Sequence, residues 1–131
     1  KIVSALCKIK RKKQNKLFLG NVNAKRDWGH AKDYVEAQWL MLQQKKPDDF
    51  VIGTGKEHSV EDFAKKAFAH VGLNYKDYVI SDKNLFRPAE VDTLLADSSK
   101  AKKILKWKPK ISFDDLVANM VDHDMEQINN I

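Results

Sequence analysis

A chain of 131 residues and 15.1 kDa, 43% hydrophobic and 32% charged, has the size and composition of one soluble globular domain. Five Gly, three Pro and the lack of any apolar run near the roughly 20 residues that cross a bilayer exclude collagen-like, low-complexity and membrane-spanning classes. Seven basic side chains (Lys1, Lys8, Lys10, Arg11, Lys12, Lys13, Lys16) and no acid fall in residues 1–16, so the +6 balance is concentrated there and the body carries −1.

Ile2, Leu6 and Ile9, with Val3 and Ala5, recur at helical spacing and predict an opening helix whose other side holds the lysines. That solvated face is preferred to a nucleic-acid arm, because no aromatic side chain is interleaved for base stacking. Cys7 is the single cysteine and cannot form an internal disulfide, which points to a reducing compartment. The opening Lys-Ile-Val, without an initiator Met or signal-peptide pattern, points to a fragment. Leu17 to Asn21 is a short apolar run ended by turn residues, a predicted strand. A polar loop, Asn23 to Gly29, leads to a helix over 31–44 that is apolar nearly all round and so should be buried on more than one side. Pro47 breaks it, and Phe50 to Gly55 reads as a buried strand entering a Gly turn.

Ser59 is the predicted N-cap of a helix whose apolar face, Val60, Phe63, Ala64, Ala67, Phe68 and Val71, ends at Gly72. Tyr78–Ser81 and Val91–Ala96 are predicted strands, and Pro88 forces an extended backbone on Arg87. Asp97 or Ser98 opens a short helix to Leu105, and the lysines of 100–110 bracket Ile104, Leu105 and Trp107. Ser112 caps a last helix carrying Leu116, Val117, Met120, Val121, Met125 and Ile128 on one side. The class is mixed α/β, and with no repeat or linker visible the chain reads as a single structural unit over 1–131.

The residues alone offer no self-sufficient active site. Gly53-Thr54-Gly55 lacks the third Gly of a dinucleotide fingerprint, since His58 stands there. No Lys follows Tyr34, Tyr75 or Tyr78 by four residues, where an ammonium would lower the phenol's pKa; those positions hold Gln38, Val79 and Asp82. His30, His58, His70 and His123 have no metal-type spacing, and Cys7 has no evident His partner. Asp114 and Asp115 suit the first turn of a helix. Only three of the 24 basic residues are Arg, and two, Arg26 and Arg87, sit in loops. Their planar donor forks match phosphate oxygens and could clamp a diphosphate; salt bridges to Asp27 or Glu90 account for them equally well.

The segment Arg26-Asp27-Trp28-Gly29-His30-Ala31-Lys32-Asp33-Tyr34, with His58-Ser59-Val60, Phe86-Arg87-Pro88-Ala89-Glu90-Val91-Asp92, Ser99-Lys100-Ala101-Lys102 and Trp107-Lys108-Pro109 in order, resembles the GDP-mannose 4,6-dehydratases, extended short-chain dehydrogenases. The resemblance runs along essentially the whole chain. It departs at Asn23, Gly53 and Lys106, where the family commonly has Asp, Ala and Gly. It implies the C-terminal part of a Rossmann-type enzyme: the last helix and strand of the cofactor domain, residues 31–55, which would pack on the missing remainder of that domain, plus the small sugar-nucleotide lobe. By the resemblance, Arg26 and Arg87 bind the GDP diphosphate, Glu90 the ribose hydroxyls, and Lys1 the guanine end. The family converts GDP-mannose to GDP-4-dehydro-6-deoxy-mannose, toward GDP-fucose. The NADP site and the catalytic residues would lie upstream of Lys1, so the chain alone would be inactive and hold no catalytic, cofactor or metal ligands. The resemblance further implies a cytoplasmic homo-oligomer, dimer or tetramer, with no nucleic-acid or membrane partner. Rival readings are another nucleotide-sugar epimerase or dehydratase, and a non-catalytic basic binding module.

Overall fold

A computed structural model describes the backbone of residues 1–129 and the side chains of residues 1–127. Its elements are α1 (Ile2–Lys10), β1 (Leu17–Leu19), β2 (Lys25–Arg26), α2 (Ala31–Leu42), β3 (His58–Ser59), α3 (Val60–His70), β4 (Val79–Ser81), β5 (Thr93–Leu94), α4 (Ser99–Ile104) and α5 (Phe113–Asn129). They gather into two compact units: Lys1–Ala24, Ser59–Asp92 and the chain from Val117 form the first, and Lys25–His58 with Thr93–Leu116 the second. The chain passes from unit to unit in the middle of β3 and of α5, which is why no linker marks the division in the sequence.

The first unit is built on α1, α3, most of α5 and a parallel pair of strands, with Leu17, Phe18 and Leu19 of β1 opposite Val79, Ile80 and Ser81 of β4. Leu6, Cys7, Leu17, Phe68, Val117 and Val121 are its largest fully buried side chains, each contributing about 1.5–3 kcal/mol by leaving water. The opening helix forms as predicted, with Val3, Ala5, Leu6, Cys7 and Ile9 buried. Its basic exit is tied to carbonyls far along the chain: Lys10 Nζ donates to the Val71 carbonyl at 2.7 Å, Lys16 Nζ to that of Asp77 at 2.7 Å, and Arg11 Nη2 to that of Met125 at 3.3 Å. Lys10 thus satisfies an orphan carbonyl at the negative end of α3.

α3 carries both predicted end signals. The Ser59 hydroxyl accepts from the Asp62 N–H at 3.0 Å and the Asp62 carboxylate accepts from the Ser59 N–H at 3.0 Å, a reciprocal capping box. At the other end Gly72 takes φ +72°, and the N–H groups of Gly72 and Leu73 donate to Ala69 and Phe68 carbonyls, the Schellman arrangement. β1 stops at Leu19, short of the predicted Asn21, and the residue after it must be small: a Cβ on Gly20 would lie 2.5 Å from the Leu85 carbonyl oxygen. α5 is capped as expected, with the Ser112 hydroxyl accepting from the Asp115 N–H at 3.1 Å. Leu116, Val117 and Val121 are buried, Met125 is half-buried and Met120 points outward. Ile128, expected on the same face, lies outside the described residues.

The second unit packs α2 against α4 and the turn after it, with Ala37, Ala101, Leu105 and Trp107 at the centre and Tyr34, Leu40, Met41, Phe50 and Ile52 around them. Its strands β2 and β5 are parallel, Lys25 opposite Thr93 and Arg26 opposite Leu94. Three expectations are corrected here. Residues 50–55 form no strand, and Val51 is exposed; side chains meet the carbonyls here, Ser98 Oγ donating to Gly53 at 2.7 Å, and Lys100 Nζ to Asp49 at 2.8 Å just before them. The strand expected over Val91–Ala96 shortens to Thr93–Leu94. α2 ends at Leu42 and, within its unit, is covered on one side: Val35, Trp39 and Leu42 are 60%, 61% and 82% exposed.

Candidate functional site

Each of the four predicted binding residues is mounted differently. Lys1 lies at the start of α1 on the rim of a hollow of about 320 Å³, shared with Lys8 and Lys16 and floored by Leu17 and Phe18 of β1. Three lysines among its lining residues give that hollow a cationic character. Arg87 and Glu90 belong to the same unit but do not line this hollow. They follow a short turn of 3-10 helix, Lys83–Leu85, capped by Asp82, whose carboxylate accepts from the Asn84 N–H at 2.9 Å. Phe86 leaves that turn extended (φ −70°, ψ 137°), and Pro88 restricts Arg87 from the other side. Arg87 is exposed and Glu90 half-buried.

Arg26 belongs to the second unit. Its backbone is laddered to Leu94, the Asp27 N–H donates to the Leu94 carbonyl at 3.1 Å, and Arg26 Nη1 donates to the Lys25 carbonyl at 2.6 Å. Lys25 is itself tethered by an ion pair with Glu57 at 3.2 Å.

The residues after Arg26 show why the motif reads as it does. Asp27 is the hub of the loop: Oδ1 accepts from the Thr54 N–H at 2.9 Å and the Thr54 hydroxyl at 2.5 Å, and Oδ2 from the N–H groups of Gly55 at 2.8 Å and Ala96 at 3.3 Å. Burial opposes its ionisation, but the hydrogen bonds from Thr54, Gly55 and Ala96 outweigh burial and hold the carboxyl below its ordinary pKa. With four donors converging on it, the Asp27 carboxylate ties this loop together. Trp28 stacks on Phe113, and Phe113 on His58 with ring centroids 3.8 Å apart. A Cβ on Gly29 would collide with the Tyr34 ring. His30 caps α2, its Nδ1 accepting from the Lys32 N–H at 3.1 Å.

Asp33 is 3% exposed; its Oδ2 accepts from the N–H groups of Lys110 and Ile111, both at 3.0 Å, and its carbonyl from Trp107 Nε1 at 2.8 Å. Sequence reasoning missed Asp27 and Asp33 as the residues that assemble this region. The available signal was acidic side chains flanking a loop rather than facing a basic partner along a helix.

The remaining titratable candidates have ordinary roles. Tyr34 is pushed up in pKa by burial and by the carboxylates of Asp27 and Asp33, and Tyr75 by its hydrogen bond to Glu61 at 2.7 Å, so neither phenol is a base near neutral pH. Cys7 is buried, and burial together with Asp124 raises its thiol, which keeps it a core residue. His70 pairs with Asp122 at 2.6 Å. Among the described residues no group of three or more His, Cys, Asp or Glu is placed to hold a metal ion, and no helix is long and apolar enough to cross a membrane.

Comparison with known proteins agrees with the motif. The family model described as GDP-mannose 4,6 dehydratase matches residues 1–120. GDP-mannose 4,6 dehydratase 1 of Arabidopsis thaliana is 59% identical over 126 residues, covering 96% of this chain and 35% of that protein. GDP-mannose 4,6 dehydratase of Dictyostelium discoideum is 50% identical over 131 residues, covering 87% of this chain and 37% of that one. This chain therefore spans little more than a third of the length of these relatives. Among solved structures, RMD from Pseudomonas aeruginosa complexed with NADPH superposes with a TM-score of 0.86 at 16% identity, over 96% of this chain and 41% of that one. That likeness shows the fold, mixed α/β as expected from the sequence. With the family model matched from Lys1 into α5 and the Arg26 to Tyr34 motif built as a working loop, the chain belongs to the GDP-mannose 4,6-dehydratase family.

Proposed function

We propose that this chain is the GDP-sugar-binding part of an NADP-dependent GDP-mannose 4,6-dehydratase, a lyase whose cofactor site and catalytic residues lie outside it. The observation that supports this most is the mounting of Arg26, a guanidinium carried on a backbone laddered to Leu94 and continued by the hydrogen-bonded Asp27 loop. A planar guanidinium fork matches the oxygens of a diphosphate. In this reading Arg26 and Arg87 each donate to the GDP diphosphate, Glu90 accepts from the ribose hydroxyls, and Lys1 stands at the guanine end. The exposed Val35, Trp39 and Leu42 of α2, with Val51, give residues 31–55 an apolar face suited to packing on the rest of a cofactor domain. The whole protein would act as a cytoplasmic homo-oligomer on the route to GDP-fucose, and this chain alone would turn nothing over.

The test uses the full-length enzyme. Arg87→Ala should raise KM for GDP-mannose by about 5- to 150-fold, the equivalent of about 1–3 kcal/mol for a charge-assisted contact, with a smaller change in kcat. An unchanged KM removes Arg87 from this role. Competition among GDP, UDP and dTDP checks the nucleotide: GDP should bind tightest, and a preference for UDP or dTDP would move the assignment to another nucleotide-sugar enzyme. Product formed by the isolated chain from GDP-mannose and NADP would refute its predicted inactivity.

A further inference from the structure

We propose that Asp27 is the positioning residue for Arg26, fixing the angle at which the guanidinium meets a nucleoside diphosphate; this rests on the reading of Arg26 given above. β2 is only two residues long, and a ladder that short cannot by itself hold a side chain to the tolerance a bidentate phosphate contact needs. The Asp27 carboxylate supplies the missing rigidity. It draws on two separate stretches of backbone besides the one that carries it: that of Thr54 and Gly55, and that of Ala96 just beyond β5.

Gly53, next to this cradle, is buried. Gly55 reaches Asp27 with φ +72°, the left-handed conformation glycine adopts without strain. Asparagine has the carboxylate's shape but would turn an NH₂ group against either the two N–H groups of Gly55 and Ala96 or the donors of Thr54. Loss of the charge therefore releases one side of the cradle, and with it the residue immediately before Asp27.

The prediction is a coupling between Asp27 and Arg26 in ligand affinity, which a general loss of stability does not produce. In the full-length enzyme, GDP binding is measured by titration calorimetry for the parent, Asp27→Asn, Arg26→Ala and the double variant, with Thr54→Val as a milder lesion that removes one donor. Asp27→Asn should weaken GDP about tenfold and Thr54→Val about two- to threefold. In the Arg26→Ala background, Asp27→Asn should change affinity less than twofold, because the side chain it orients is gone. Equal losses from Asp27→Asn in both backgrounds overturn the inference and leave the role of Arg26 intact. Arg26→Ala without effect on GDP overturns the reading of Arg26 itself, and the inference with it. If Asp27→Asn fails to fold, Thr54→Val carries the same cycle with Arg26→Ala, and additivity there refutes the coupling.

Discussion

Asp33 gives the most direct check on how the second unit is held. Asp33→Ala deletes both hydrogen bonds from the carboxylate to the Lys110 and Ile111 N–H groups, each at 3.0 Å, while the Trp107 bond to the Asp33 carbonyl survives. A hydrogen bond to a charged group contributes about 1.5–3 kcal/mol, and these two donors are only partly buried, so water compensates in part. The loss should be about 2–4 kcal/mol for Ala and about half that for Asn, which keeps an accepting oxygen without the charge. Global unfolding of a two-unit protein is not one transition, so the assay is native-state hydrogen exchange at the Lys110 and Ile111 amides. At tenfold per 1.4 kcal/mol, Asp33→Ala should speed their exchange by about thirty- to several hundredfold. Glu36→Ala is the control: its ion pair with Lys110 spans 2.7 Å but both side chains are well exposed, and its removal should cost under about 1 kcal/mol. Exchange unchanged in Asp33→Ala, or raised no more than in Glu36→Ala, would refute Asp33 as the clamp.

Three further outcomes follow from the same geometry. Ser59→Ala opens the capping box of α3 and should destabilise the first unit by about 1 kcal/mol, with much of that loss absent when Asp62 is already Ala; native-state hydrogen exchange at the α3 amides of the variants checks it. Lys106 has φ 56° just past α4, so Lys106→Gly should stabilise by about 0.5–1 kcal/mol, whereas Lys108→Gly, outside the left-handed region, should not. The lowered pKa of Asp27 stabilises the folded chain above the ordinary carboxylate pKa of 3.8, and this contribution fades as pH falls through the lower folded value. The stability difference between the parent and Asp27→Asn should therefore be constant above about pH 5 and shrink below about pH 4, and a difference independent of pH down to 2 would refute it.

What the sequence determined by itself is whatever depends on neighbours within a turn or two. Ser59 and Gly72 bound α3, Ser112 starts α5, and the apolar spacing of α1 separates its core side from its lysines; in each the deciding contact lies within five residues, so a local pattern is enough. The motif from Arg26 to Tyr34 was legible as a family signature, and Arg26 and Arg87 were singled out as the arginines off the helix faces. What only the tertiary structure decided depends on partners far along the chain. Residues 50–55 look like a strand by composition, but a strand is defined by what pairs with it, and the groups that meet this segment come from Asp27 and Ser98. The outer face of α2 is apolar in sequence, yet nothing local to it says what would cover Trp39. In the sequence Asp27 is a possible salt-bridge partner of Arg26, and Asp33 has no assigned role. They became the two carboxylates that organise the second unit because backbone N–H groups from 54, 55, 96, 110 and 111 converge on them, a convergence that exists only once the chain has folded.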